Sequence, residues 1–286
     1  MQALAYAKLN LSLEVVGRRA DGYHRVVTIL HTIDLADRLT FKPSESLSLR
    51  CDPPIGPTEE NLVLRAARQL QESTGCAFGA AITLEKRIPL ASGLGGGSAD
   101  AAATLRALNT FWDLKLPEAK LCVLATRLGS DVPFLMAGGC ALAEGRGEVV
   151  TSLPPMPIWW AVILVPQHQT ADKTARLYSL LGAGDFTDGS ATRRLADGLR
   201  AGRVSIEKIG SMPNAFQRAA AIAFPALESY QKRMNAAGAH FAHITGSGPA
   251  VFTLVETREE GEQILARLQS NGDRGVYLLR LITPRK

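Results

Sequence analysis

The stretch Pro89-Leu-Ala-Ser-Gly-Leu-Gly-Gly-Gly-Ser98-Ala-Asp100-Ala-Ala-Ala-Thr-Leu105 decides how the rest of the chain is read. Every residue from Gly93 to Gly97 is glycine or leucine, so the backbone can turn sharply and approach a ligand with little side-chain obstruction. Ala101, Leu105, Leu108 and Trp112 follow at the spacing of a helix's apolar stripe, and Ser98 is placed to cap that helix. A glycine loop running into a helix N-terminus presents unpaired amides and the positive end of the helix dipole, a setting that favours phosphate. The alternative is a flexible turn ahead of a core helix.

Two familiar phosphate loops do not fit. A Walker A loop ends in Gly-Lys-Ser/Thr, whereas Gly97 is followed by Ser98 with no lysine. The dinucleotide fingerprint fails as well, because the glycine it requires falls on Ser98 when started at Gly93, and its final glycine or alanine falls on Asp100 when started at Gly95. Any cation for the phosphates has to come from elsewhere in the chain.

With 286 residues and 46% hydrophobic content the chain can build one large or two ordinary domains. No run approaches the roughly 18 uninterrupted apolar residues of a membrane span. Lys8, Glu14 and Arg18 interrupt any signal-peptide pattern, so a cytoplasmic location is expected. Cys51, Cys76, Cys122 and Cys140 form no Cys-x-x-Cys pair, and buried free thiols are expected rather than a zinc site or a disulfide framework. His240-x-x-His243 lacks the glutamate and spacing of a zinc-protease motif. The net charge of +5 is spread along the chain, which suits a small anionic ligand better than nucleic acid.

Leu4 to Val16 alternates apolar and polar residues as a half-buried strand does, with Lys8, Asn10, Ser12 and Glu14 on the second face. Arg18-Arg-Ala-Asp-Gly22 reads as a turn into a hairpin partner at Val26 to Ile33, and Leu39 to Phe41 and Leu47 to Leu49 as further short strands. The Pro/Gly-rich segment 52–57 precedes a helix over Asn61 to Ser73, and Ala81 to Glu85 is the strand feeding the glycine loop. Pro117 to Leu128 reads as a helix ended by Gly129, with another beginning near Ser130-Asp131-Val-Pro133. Leu153-Pro-Pro-Met-Pro157 reads as a linker, which divides the chain into 1–152 and 153–286. Beyond it, strands at Trp159 to Val165, Phe241 to Ile244, Ala250 to Val255 and Val276 to Ile282 alternate with helices at Ala215 to Ala237, broken near Pro225, and at Glu259 to Gln269. That order, β, α, β, β, α, β, suits a ferredoxin-like domain, and the whole is of the α+β class.

Three segments in this order resemble the GHMP kinase superfamily: Ala7-Lys8-Leu-Asn10, Pro89-x-x-x-Gly-Leu-Gly-Gly-Gly-Ser98 and Thr245-Gly-Ser-Gly-Pro-Ala-Val251. Arg19-Ala-Asp-Gly-Tyr-His24 and Leu128-Gly-Ser-Asp-Val-Pro133 narrow the resemblance to the branch that phosphorylates the 2-hydroxyl of 4-diphosphocytidyl-2-C-methyl-D-erythritol, in the non-mevalonate route to isoprenoid precursors. Tyr6 departs from the proline usual before Ala-Lys. The resemblance implies an N-terminal domain like ribosomal protein S5, a ferredoxin-like C-terminal domain, ATP and Mg²⁺ as cofactors, and a small cytidine diphosphate-linked acceptor, with neither nucleic acid nor membrane as partner.

For the site, the resemblance implies a nucleotide cradle of Pro89, Leu90, Ala91, Ser92, Gly93, Leu94, Gly95, Gly96, Gly97, Ser98 and Ala99, with Asn61 and Lys86 toward the adenine. Lys8 would replace the missing loop lysine, and Asp131 would accept the hydroxyl proton. On spacing alone, Asp131 reads equally as a helix cap and Lys8 as a solvated edge lysine. Asn10, Tyr23, His24 and Tyr178 would meet the substrate, with the Tyr23 ring as platform for the cytosine; core packing is the alternative for both tyrosines. Asp100 is a favourable first-turn acid that could also meet Mg²⁺.

Overall fold

A computed structural model describes residues 1–56, 58–166 and 173–283, so Pro57, at the end of the Pro/Gly-rich segment, lies outside the described residues. The chain forms two compact units that interleave in sequence: Met1–Ala7, Leu35–Pro89 and Gly95–Ala137 make one, and Lys8–Asp34, Leu90–Leu94 and Gly138–Lys286 make the other.

The first strands are longer than their apolar runs suggest. β1 covers Gln2–Arg18 and pairs with β2, His24–Lys42, as the expected hairpin. Leu39 to Phe41, expected to be a strand of its own, is the far end of β2, because the polar residues Asp34 and Asp37 do not break the pairing. In the first unit, Arg38 to Lys42 pairs antiparallel with β4, Ala80–Glu85, and β4 runs parallel to β3, Leu47–Asp52. The helices α1, Leu62–Thr74, α2, Gly96–Phe111, α3, Glu118–Leu128, and α4, Val132–Ala137, complete this unit. The apolar face of α1, Val63, Leu64, Ala66, Ala67 and Leu70, is buried, and so is nearly all of α2 from Ala99 to Leu108. Burial of this kind, at about 25 cal/mol per Å², rather than capping, holds these helices.

In the second unit, Thr28 to His31 of β2 pairs with β5, Cys140–Glu144, which pairs in turn with β6, Val149–Ser152. The residues of β5 and β6 carried no strand reading in the sequence, since glycines at 138, 139, 145 and 147 dominate them. β7, Trp160–Leu164, is followed by α5, Lys173–Ser179, α6, Ser190–Arg200, α7, Ile206–Gly210, α8, Gln217–Ala223, and α9, Leu227–Ala236. β8, His243–Ile244, β9, Val251–Val255, α10, Arg258–Ser270, and β10, Val276–Arg280, end the chain. The helix expected over Ala215 to Ala237 is two helices, split near Pro225 as expected because proline cannot supply the helical hydrogen bond. The sheet order is β10-β7-β9-β8 with antiparallel neighbours, so in chain order its strands lie 4-1-3-2, the ferredoxin-like arrangement. Its core gathers Leu13, Val15, Val162, Leu164, Phe216 and Ile264.

A buried histidine in this unit has a shifted pKa. His31 on β2 donates Nδ1–H to the Thr32 carbonyl at 2.8 Å, and its Nε2 is buried with no partner among the described residues. Burial pushes its pKa down from 6.5 to about 4. The unfolded chain therefore takes up a proton that the folded chain refuses, and stability falls as pH drops through that window. We expect this group to cost up to about 3 kcal/mol across it, since each tenfold rise in proton concentration within the window is worth about 1.4 kcal/mol. Denaturant titrations of wild type and His31→Phe at both ends of the window check this: a stability difference that does not change with pH would exclude His31.

Candidate active site

The glycine stretch folds in two steps. Ser92 and Leu94 are buried, the Ser92 carbonyl accepts the Ala250 N–H at 3.1 Å, and the Leu94 carbonyl accepts the Lys8 N–H at 3.0 Å. Gly93 lies between them at φ +90°, where a Cβ would collide with the Thr245 carbonyl oxygen, so both conformation and space demand glycine. The chain then turns through Gly95, at φ 78°, into α2. Here the structure corrects the expected cap: Gly95, not Ser98, is the N-cap, and Ser98 lies inside the first turn. A left-handed residue is needed to swing the loop into the helix, and serine does not adopt that conformation readily. No side chain caps α2, so its first amides keep the unpaired character that suits an anion.

Lys8 is not a solvated edge lysine. It is 3% exposed, and its ammonium donates to Asn10 Oδ1 at 2.5 Å. Asn10 is held in turn, its Nδ2 donating to Thr28 Oγ1 at 2.8 Å and its backbone N–H to Thr245 Oγ1 at 3.0 Å. Thr28 donates its hydroxyl proton to the Ser12 carbonyl at 2.6 Å. Gly246, at φ +56°, covers this pair so closely that a Cβ would lie 3.0 Å from Asn10 Oδ1 and 3.2 Å from Lys8 Nζ. The Thr245-Gly-Ser-Gly-Pro249 turn thus lies on the Lys8–Asn10 pair, and the second face of β1 is buried rather than wet.

Lys86, expected near the adenine, is buried between two carboxylates, Asp37 and Asp100, donating to Asp100 Oδ2 at 2.8 Å. Burial by itself would lower the ammonium's pKa, but the charges of Asp100 and Asp37 and the hydrogen bonds to them raise it. Burial pushes Asp100 up to about 7; the Lys86 charge opposes this and the Asp37 charge adds to it. Asp100 Oδ1 is buried without a hydrogen-bond partner among the described residues. Asn61 caps α1, its Oδ1 accepting the Val63 N–H at 2.9 Å. Asp131 is half-buried between α3 and α4, and its carbonyl accepts the Leu135 N–H at 3.1 Å, the first turn of α4.

The aromatic residues divide. His24 stacks on Tyr178, with ring centroids 4.8 Å apart and planes 18° apart, and Tyr178 meets Phe216 edge-on. Burial, then the Arg18 charge, lowers the His24 pKa. Tyr178 stands on helix α5. Tyr23 is 53% exposed, and the Arg146 guanidinium lies 4.8 Å from its ring centre. Arg146 and Asp37 escaped the sequence reading. Asp37 shares strand parity with the buried Leu39 and Phe41, and an acid on an inward face was the available signal.

The GHMP kinases N terminal domain description matches residues 61–139, and the GHMP kinases C terminal description matches residues 195–274. A 4-diphosphocytidyl-2-C-methyl-D-erythritol kinase of Dehalococcoides mccartyi is 42% identical over 98% of both chains. This chain belongs to the GHMP kinase family. Another relative, the 4-diphosphocytidyl-2-C-methyl-D-erythritol kinase of Gloeobacter violaceus, is 39% identical, covering 96% of this chain and 91% of its own. Among solved structures, a 4-(cytidine 5'-diphospho)-2C-methyl-D-erythritol kinase superimposes with a TM-score of 0.81 at 35% identity, covering 98% of this GHMP kinase and 99% of that chain. The homoserine kinase of Cytophaga hutchinsonii, at 21% identity and a TM-score of 0.75, covers 99% of this chain and 94% of its own, and shares the fold. The expected α+β architecture and kinase family are therefore what the chain has. Among the described residues no helix is long and apolar enough to cross a membrane.

Proposed function

We propose that this GHMP kinase transfers the γ-phosphoryl group of ATP to the 2-hydroxyl of 4-diphosphocytidyl-2-C-methyl-D-erythritol, a step in making isoprenoid precursors. The observation that carries this reading is the likeness, along nearly the whole chain, to relatives that bear that name, at 38–42% identity against 21% for a homoserine kinase. ATP supplies the phosphoryl group, and the amides of the glycine loop and of the uncapped start of α2 receive its phosphates. Asp131 accepts the proton of the attacking hydroxyl, and Lys8, held by Asn10, stabilises the charge that develops on the transferred group. Asp100 Oδ1 is the oxygen donor that Mg²⁺ would take, directly or through water. Asn61 and Lys86 border the nucleotide, and Asn10, Tyr23, His24 and Tyr178 serve the acceptor. Residues 1–152 carry the nucleotide loop and residues 153–286 the substrate-side domain.

The test is to incubate the purified protein with ATP and the diphosphocytidyl acceptor and to follow ADP and phosphorylated product by mass spectrometry. We expect one product per ADP. Phosphorylation of homoserine or mevalonate in place of the cytidyl compound would overturn the substrate assignment.

A further inference from the structure

The glycine loop leaves β4 through Lys86, Arg87 and Ile88 and arrives at α2, and both of these ends meet one buried side chain arrangement. Asp37 Oδ1 accepts the Arg87 N–H at 2.5 Å and the Ile88 N–H at 2.8 Å, while its Oδ2 accepts the Lys86 ammonium. Lys86 then reaches Asp100 Oδ2, inside α2, at 2.8 Å. The two ends are also in steric contact: a Cβ on Gly96 would lie 3.0 Å from Ile88 Cγ2 and 3.3 Å from Lys86 Nζ. Asp37 is fully buried, and the side chains of Lys86 and Asp100 are 4% and 3% exposed.

A buried triad of one cation and two carboxylates is a costly way to add stability, since apolar residues of similar volume usually serve as well. Its geometric content is specific, however. It fixes how far apart the loop's two ends stand, and a loop rich in glycine has no side-chain packing of its own to do so. We propose that Asp37 is a positioning residue for phosphoryl transfer: through the Arg87 and Ile88 amides and through Lys86 to Asp100, it clamps both ends of the glycine loop so that the loop's amides meet the nucleotide phosphates. This rests on the nucleotide reading given above. Asp37 touches no reacting atom; it acts through the loop.

The experiment compares wild type, Asp37→Asn and Asp37→Glu, measuring ATP affinity by calorimetry, the KM for ATP and for the acceptor, kcat and thermal stability. Asparagine keeps an acceptor for the two loop amides and loses the bond to Lys86, whereas glutamate keeps the charge and shifts the loop end. Each is expected to lower kcat/KM for ATP by about 10- to 100-fold, the cost of misplacing groups by about 1 Å. The KM for the acceptor stays at the wild-type value. Trp112→Phe, which removes the indole bond to the Gly79 carbonyl, is the control: stability falls with the KM for ATP unchanged. If both Asp37 variants keep the wild-type ATP affinity and KM, or if neither folds, Asp37 serves the fold alone and the proposal is overturned. Wild type that binds ATP but ignores the cytidyl acceptor would sink the acceptor reading and leave this comparison intact; wild type that binds no ATP would overturn the clamp with the nucleotide reading.

Discussion

Asp131→Asn is expected to lower kcat by about 10²- to 10⁴-fold, the usual worth of a positioned general base, with ATP binding unchanged. The choice of asparagine separates the two roles open to this residue. Asp131 stands at the start of α4, where its carbonyl accepts the first helical hydrogen bond from Leu135, so a capping role is geometrically available. Asparagine caps a helix about as well as aspartate but cannot take a proton at neutral pH. Loss of turnover at wild-type thermal stability therefore assigns proton abstraction to the side chain. Turnover near the wild-type rate would make Asp131 a helix cap and require another base.

The second large effect is on stability. Lys86→Met removes the cation that Asp37 and Asp100 share in the interior and should cost about 3–5 kcal/mol, as when one partner of a buried ion pair is deleted. The deficit depends on pH in a definite sense. Asp100 already has a pKa raised to about 7, first by its burial, and without the Lys86 charge that opposes this it rises further. Such a group holds a proton in the folded state that the unfolded chain has released, so the folded state loses ground as pH rises from the unfolded pKa up to the folded one, and no more above it. The variant should thus be closest to wild type in acid and furthest from it above neutrality. Urea titrations at about pH 5 and pH 8 check this, and equal deficits at the two values would show that the triad is not the source. The His31 slope runs in the opposite direction over the acid range, and it cancels because both proteins keep His31.

Much of this architecture is local enough to be legible in a single chain. The apolar stripe of α2 and the strand at β1 follow from side-chain periodicity and the break between α8 and α9 from Pro225, though β1 runs past both ends of its pattern and buries both faces. Boundaries failed where a distant partner decides them. Leu39 to Phe41 joins β2 because β4 pairs with it, and β5 and β6 form among glycines because β2 offers a ladder.

The glycine loop, the expectation of an anion there and the expectation of a cation from outside it follow from residue types alone, since glycine's freedom and the lack of a loop lysine are properties of the chain. The tertiary structure decided how the residues around that loop are packed. Gly95 rather than Ser98 begins α2 because the path from Gly93 into the helix needs a left-handed turn. Lys8 is buried against Asn10 rather than solvated because Gly246, far away in sequence, closes over it. Asp37, Lys86 and Asp100 form one group only because β2, the end of β4 and α2 converge there. Spacing along a chain carries no information about such convergence; it is set by packing, and a charge can be buried only where packing also supplies its partner.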